Sequence, residues 1–510
     1  MHPAGHMAKS AGFRRDNPVV AGLFLMGFAV IVGAIALFAS SGSIDAYPFL
    51  FLLPWIFGLA VVMAIPMVIL HYRGKFTFVD PLVFATLTSF FPAYVLGGFF
   101  FAVGLSQPAF LTLIQDPFYT LPLTVVLVAL GYSGLAAGYL LPVGAWLGKK
   151  AAKRLPLADY APSSLVVPAV LLLLSGVLNS YFALIIGRFG YQKAAEINSY
   201  DGIVYLTTLF WVQGSFLLWL VIFREKTWKV IFVPLIVLLA TTSLTKFLFS
   251  GSRGSILQAF WIISFSYILA GRKISLKQGA ISGVLLTAAI LVGVIYATTF
   301  RNVKGSEDTQ SAEMYADNIF RTFDEVGRGD TFETISFGVS TFTGRIDILS
   351  TLAVVVSNHE QLKPYEEAYG LDDNIWTDTT TFLIPRVVWE DKPIASDPRK
   401  YSDLYFNYGA SSYAITPIGD LLRNYGIIGV PLGMFLIGVI LRFIYRTLVE
   451  GQSLVIWRRT IYFMLVTMIS YEGFYGTIIP TFFKVGFTAI VAMLLVNLIA
   501  SQIDKGKLTV

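Results

Sequence analysis

Residues 279–313 read GAISGVLLTAAILVGVIYATTFRNVKGSEDTQSAE, and the change of character inside this stretch decides the fold. From 279 to 299 there is no charged residue, and a helix needs about 20 apolar residues to cross the hydrocarbon of a bilayer. At Arg301 the chain turns polar and stays so to Tyr413. Residues 301–413 hold 10 Lys+Arg and 19 Asp+Glu, a formal charge of −9, which leaves 27 and 12 elsewhere, or +15. Membrane chains keep Lys and Arg in short cytoplasmic loops, so an acidic segment between apolar runs is free to lie on the far side. As the largest extramembrane piece expected, it is where chemistry on that face is sought.

The rest of the composition agrees. Of 510 residues, 56% are hydrophobic and 13% charged, against about 25% charged in an ordinary soluble domain. This argues for a polytopic helical membrane protein. A net charge of +6 would suit nucleic acid in a soluble protein; here the positive-inside bias accounts for it, and no nucleic-acid partner is expected. With no cysteine, the loop has neither disulfides nor thiolate ligands. Residues 1–7 read as an added leader, so His2 and His6 are set aside. Arg14 and Arg15 precede an apolar run longer than the h-region of a cleaved signal, which predicts a retained first span; cleavage after Ala39 or Ser40 is the alternative.

Apolar runs predict spans at 18–39, 47–70, 81–105, 121–147, 165–186, 203–223, 230–249, 256–270, 279–299, 427–445, 461–475 and 479–500. The eighth is short enough to tilt or to embed only partly. Basic clusters such as Arg73 and Lys75, Lys149 to Arg154, Arg272 to Lys277, and Arg458 and Arg459 all fall on one side of a single alternating path. The expected fold is therefore an all-α transmembrane bundle of about twelve spans with both termini cytoplasmic. Residues 1–300 carry helices one to nine, 301–413 form a large, partly helical periplasmic loop, and 414–510 carry the last three. Loop helices are predicted near 311–325 and 338–356, the second apolar enough to lie in the membrane interface. Thr416-Pro417 reads as N-cap and first residue of the helix leading into the tenth span.

Several polar residues stand out against this background. Lys246 lies inside the seventh span and Arg253 follows seven residues later, on the same face if helix continues; Lys246 marks a substrate path or snorkels to headgroups. Gly251 and Gly254 flank Arg253 and let backbone approach a ligand, or simply break the helix. Thr343-Gly344-Arg345-Ile346-Asp347 sets an Arg and an Asp two apart. Residues 382–393, FLIPRVVWEDKP, join an apolar anchor to Arg386, Glu390, Asp391 and Lys392. That segment suits a loop that dips into the interface, or else a solvated turn with local salt bridges. Asp420 and Arg423 can pair with each other or with a ligand. Arg301 stands at the membrane edge, and Glu472 near the outer end of the eleventh span, where an unpaired carboxylate is costly. Arginine is the residue expected where phosphate oxygens need paired donors. The outer-side arginines thus point to a lipid-linked phosphate or pyrophosphate. His359 is the lone histidine of the loop, and Asp372, Asp373 and Asp378 form no metal-ligand spacing; no metal and no cofactor is expected.

The motifs GSRGS at 251–255, GRIDIL at 344–349, FLIPRVVWEDKP at 382–393 and TPIGDLLRNYGIIG at 416–429 resemble the Wzy-type O-antigen or oligosaccharide repeat-unit polymerases of bacterial inner membranes. The resemblance covers about the second half of the chain. It implies a glycosyltransferase of GT-C-like architecture, similar to O-antigen ligases, acting on undecaprenyl-pyrophosphate-linked oligosaccharide, with a flippase and a chain-length regulator as partners. It further implies that Arg253 and Arg386 converge on the pyrophosphate, with Arg345, Arg423, Arg301 and Lys246 next, and that Asp347 or Glu390 is the base. A transporter or flippase of polysaccharide or lipid-linked sugar is the competing reading from another class, but the matched repeats of such proteins are not visible; within the enzyme class, an O-antigen ligase or peptidoglycan-type glycosyltransferase is the alternative.

Overall fold

The computed structural model describes residues 49–508 apart from 107, 157–160, 189–198, 226, 228, 306–310, 329–330 and 410–411. The first predicted span lies outside the described residues. Among the described residues every regular element is helical. Nine of these helices are long and apolar enough to cross a membrane: Leu50–Tyr72, Pro81–Ala102, Pro117–Leu140, Pro162–Ile185, Asp201–Arg224, Phe232–Ser250, Lys277–Lys304, Thr416–Leu448 and Tyr475–Ile503. Proline opens three of them, at a position whose N–H has no helical partner anyway. Asp80 caps the first of those three, accepting from the Leu82 N–H at 3.0 Å.

The centre of the bundle is the crossing of Pro117–Leu140 with Thr416–Leu448. Backbone touches backbone there: a Cβ added to Gly134 or Gly138 would run into the carbonyls of Pro431 and Phe435. Small residues four apart let two membrane helices approach this closely, where packing rather than the hydrophobic effect drives association. Thr416–Leu448 itself is two arms. Gly426 holds a φ of 67°, so a buried outer arm ends there and a second arm begins at Ile427, the residue at which the sequence starts the tenth span. Thr416 Oγ1 accepts from the Gly419 N–H at 3.1 Å, as an N-cap does, with Pro417 next to it.

Four expectations are corrected. The fourth span stops at Leu140, because Leu141 is extended and Pro142 opens a separate helix, Pro142–Ala152. The eleventh contains only the helix Ile456–Thr467, whose 12 residues rise about 18 Å against a hydrocarbon core of about 30 Å. Helix does not run from Lys246 to Arg253, since Gly251 turns left-handed (φ 58°) and Arg253 starts a new helix behind a Ser252 cap. The loop helix near 338–356 is a bent pair, Gly338–Ile346 and Ile348–Tyr369, broken by 43° at Asp347. From Ile348 to Val356 every residue is buried, and a helix apolar on all sides belongs in a core rather than at an interface.

Part of the 301–413 segment is thus built into the bundle, packed on Pro117–Leu140 and Thr416–Leu448. Both arms of the bent pair hang from one connection, residues 103–116. Thr343 Oγ1 donates to the Leu105 carbonyl (2.9 Å) and Ser106 Oγ to Asp347 Oδ2 (2.9 Å). Further along, Asn358 Nδ2 donates to the Leu113 carbonyl (2.8 Å), and Ser357 Oγ accepts from the Gln115 N–H (2.7 Å).

Candidate functional site

A cavity of about 420 Å³ opens where the bent pair meets the bundle. One wall is residues 87–90 and 92–94 of the π-helical segment Thr86–Leu96, inside the helix Pro81–Ala102. A π-helix of this length is rare, and π turns occur often at functional sites. Pro92 lies within it and cannot donate to the helical ladder. The opposite walls are Leu286, Ile290 and Arg301 of Lys277–Lys304, then Phe342, Arg345 and Ile346 beside the break. Ser252 and Gly254 of the GSRGS turn, with Trp261, Tyr471 and Glu472, complete it. The cavity is apolar over most of its lining, with two guanidinium groups and one carboxylate set into it.

Arg301 and Arg345 also line a second cavity of about 260 Å³, so they stand where the two hollows meet. Their charges act on one another. Two like charges brought together beside an apolar wall repel, and an anion between them turns that repulsion into attraction. The break at Asp347 fixes Arg345. Asp347 caps Ile348–Tyr369, its Oδ1 accepting from the Ser350 N–H (3.0 Å) and its Oδ2 from the hydroxyls of Ser350 (2.8 Å) and Ser106 (2.9 Å). Gly97 makes room for this corner, because a Cβ there would lie 2.5 Å from the Ile346 carbonyl oxygen.

The structure brings the predicted site residues together only in part. Arg301 and Arg345 share the cavity, and the GSRGS turn forms its edge; the side chain of Arg253 is outside the described residues. Arg386 and Glu390 line neither hollow, and Arg386 donates to the Glu390 backbone carbonyl (3.0 Å) on its own turn. Local bonding closes the 382–393 segment on itself, and Arg386 stands away from both hollows. Asp347 lines the second cavity beside Arg301 and Arg345, but it is buried and its two oxygens already accept from three donors, as a helix cap does. Lys246 neither lines the cavity nor snorkels. It bonds Gln258 Oε1 at 2.8 Å and lies 5.5 Å from the Trp211 ring centre.

Arg423 is corrected most clearly. Its Nε donates to Asp420 Oδ1 (3.0 Å), with Nη2 ion-paired to the same oxygen (2.9 Å), and its Nη1 donates to Glu366 Oε1 (3.1 Å) and the Leu371 carbonyl (2.9 Å). With Asn374 Oδ1 as acceptor for Nη2, all three guanidinium nitrogens are engaged inside a buried cluster, and no open face is left for phosphate. Asp378 lies beside this cluster. Burial pushes its carboxyl up, opposed by the hydrogen bond from Ser396 and by the charges of Lys484 and Lys392.

Glu472 is the carboxylate the cavity does present, exposed beside buried Tyr471 on the irregular stretch after Thr467. The sequence marks Glu472 as a costly carboxylate near a span end, but carries no sign that the span breaks before it. Nor does any sequence signal mark residues 87–90 and 92–94 as cavity wall, apart from Pro92 inside an apolar run.

Apolar helices with a polar-studded cavity at the junction of a bent helix pair define a multi-pass helical bundle of the membrane type. Residues 177–450 match the family described as Domain of unknown function (DUF8712); this is more than half of the chain, and the chain belongs to that family. No curated protein and no solved structure matches it.

Proposed function

We propose that the chain polymerises undecaprenyl-pyrophosphate-linked oligosaccharide repeat units at the periplasmic face of the bacterial inner membrane, as the Wzy-type polymerases it resembles do. The observation that carries this reading is the pair Arg301 and Arg345 on the wall of a cavity large enough for a headgroup. In the reaction, a hydroxyl of one lipid-linked unit forms a bond to the anomeric carbon of another. The bond from that carbon to the pyrophosphate oxygen breaks, and the electron pair leaves with the lipid pyrophosphate. The two guanidinium groups stabilise the charge that grows there. Glu472, an exposed carboxylate on the same wall, takes the hydroxyl proton. Purified protein given a lipid-linked repeat unit is expected to yield a ladder of longer glycans. Unchanged substrate from folded protein supplied with a range of repeat units would remove the reading.

The proposed topology has both termini cytoplasmic, twelve crossings with the eleventh made by the short helix Ile456–Thr467 and the irregular chain after it, and 301–413 on the periplasmic side, with the bent pair entering the bundle and returning. Support comes from the bonds of both arms to the single connection 103–116. A pair that crossed the bilayer would reach the opposite end of the bundle. The cysteine-free chain makes the test simple. Glu313→Cys and Asp372→Cys are expected to react with an impermeant maleimide from the periplasmic side, and Lys153→Cys only once the inner membrane is opened. Labelling of Glu313→Cys but not Asp372→Cys from outside would make the bent pair a true span.

A further inference from the structure

The segment 382–394 plays no part in the site described above, yet it exposes an unusual amount of apolar surface. Leu383 is 70% exposed and Val388 77%, with Ile384, Val387, Trp389 and Ile394 also at the surface. A soluble loop rarely gathers such a patch without something to cover it. Its backbone is closed on itself. The N–H groups of Val388 and Trp389 both reach the Pro385 carbonyl (3.0 and 3.1 Å), and that of Ile384 reaches the Thr381 carbonyl (3.0 Å). Lys392 Nζ donates to the carbonyls of Thr381 (2.9 Å) and Ile384 (3.0 Å), and Arg386 Nη1 to that of Glu390. Backbone bonds made within the segment lower the cost of placing non-helical chain where water is scarce.

The neighbourhood says what covers the patch. Phe382 packs on Phe483 with ring centres 5.0 Å apart, at the beginning of Tyr475–Ile503, one of the nine apolar helices. Below Phe483, the residues Phe487, Ile490 and Leu494 form an exposed stripe at helical spacing, the face such a helix turns to lipid. The apolar surface of the loop continues that stripe past the end of the helix. Three cations gather at the same level, with the charges of Lys484 and Arg386 acting on Lys392. Apolar side chains, a tryptophan and these three cations suit the boundary between acyl chains and phosphate headgroups.

We infer that residues 382–394 are an interfacial wedge, seated among phospholipid headgroups beside the start of Tyr475–Ile503. This inference does not depend on the proposed reaction. The full-length chain carrying Val388→Cys with an environment-sensitive fluorophore is placed in nanodiscs of phosphatidylcholine and phosphatidylglycerol, with Asp372→Cys as the comparison. The fluorophore at 388 is expected to emit at shorter wavelength and to be quenched several-fold more strongly by nitroxide-labelled phospholipid than the one at 372. Quenching by aqueous iodide equal to that at 372 would overturn the inference. A blue-shifted signal indifferent to the nitroxide lipid would overturn it as well, and would assign the patch to a second copy of the chain or another protein. Should Val388→Cys lower thermal stability in detergent, Leu383→Cys on the same loop gives the same reading.

Discussion

Arg345→Ala and Arg301→Ala are each expected to slow glycan elongation by about ten- to several-hundred-fold while the protein unfolds at its usual temperature. A charge-assisted hydrogen bond is worth about 1.5–3 kcal/mol, and each 1.36 kcal/mol of barrier is about tenfold in rate. The loss appears in turnover if the bonds tighten as the leaving group gains charge. Lysine restores charge but not the flat pair of donors, so Arg345→Lys recovers only part of the rate. Both side chains are exposed to the cavity, so little packing is lost with them. Arg386→Ala, on a turn away from the cavity, is expected to elongate at nearly the normal rate. Normal elongation from folded Arg301→Ala and Arg345→Ala would take the pair out of the site, and a matching fall in thermal stability would make their role structural.

Arg423→Ala is expected to act in the opposite way, through folding. The guanidinium is fully buried between Asp420 and Glu366, and it also ties in Leu371 and Asn374. Glu366 in turn accepts from Tyr405 Oη (2.8 Å), and Asp420 from the Gly476 N–H (3.2 Å), so one cluster joins four stretches of chain. Removing one partner of a buried ion pair costs about 3–5 kcal/mol, because a carboxylate is left without compensation. A typical domain has only about 5–15 kcal/mol to lose. Arg423→Lys is expected to rescue poorly, since three donors replace five. Removing the charges together, as Arg423→Met with Glu366→Gln and Asp420→Asn, is expected to regain part of the stability. Thermal unfolding in one detergent checks all three, and a wild-type midpoint for Arg423→Ala would refute the account.

Much of the bundle is legible in the sequence, because an apolar run of span length between basic clusters finds its lowest free energy across a bilayer. The helices at 162–185, 201–224 and 232–250 lie within a few residues of their predicted places for that reason. Where two structures share one composition, the reading fails. Residues 348–356 are equally apolar in an interface or in a core, and only tertiary packing tells these apart. The run 461–475 is apolar enough for a span, but its second half is irregular chain on the cavity edge. Among the site residues, chemistry marks arginine correctly as a residue type but does not say which arginine is already satisfied. Arg423 and Arg345 look alike in sequence; one has every guanidinium nitrogen engaged within the fold, and the other faces a hollow.

The dependence of the bent pair on residues 103–116 has a consequence for how the protein is made. Ser106 and its partner Asp347 are 241 residues apart in the chain. At about 5–20 residues per second, the ribosome needs on the order of 10–50 s to travel that far. Throughout that interval the early helices stand with an unfilled groove and with the hydroxyl and carbonyl groups of their connection unpartnered by protein. The segment bearing Arg345 arrives late, ahead only of the helices after Thr416, and the two halves of the arginine pair meet only when the acidic stretch after Arg301 has folded back onto helices made long before it.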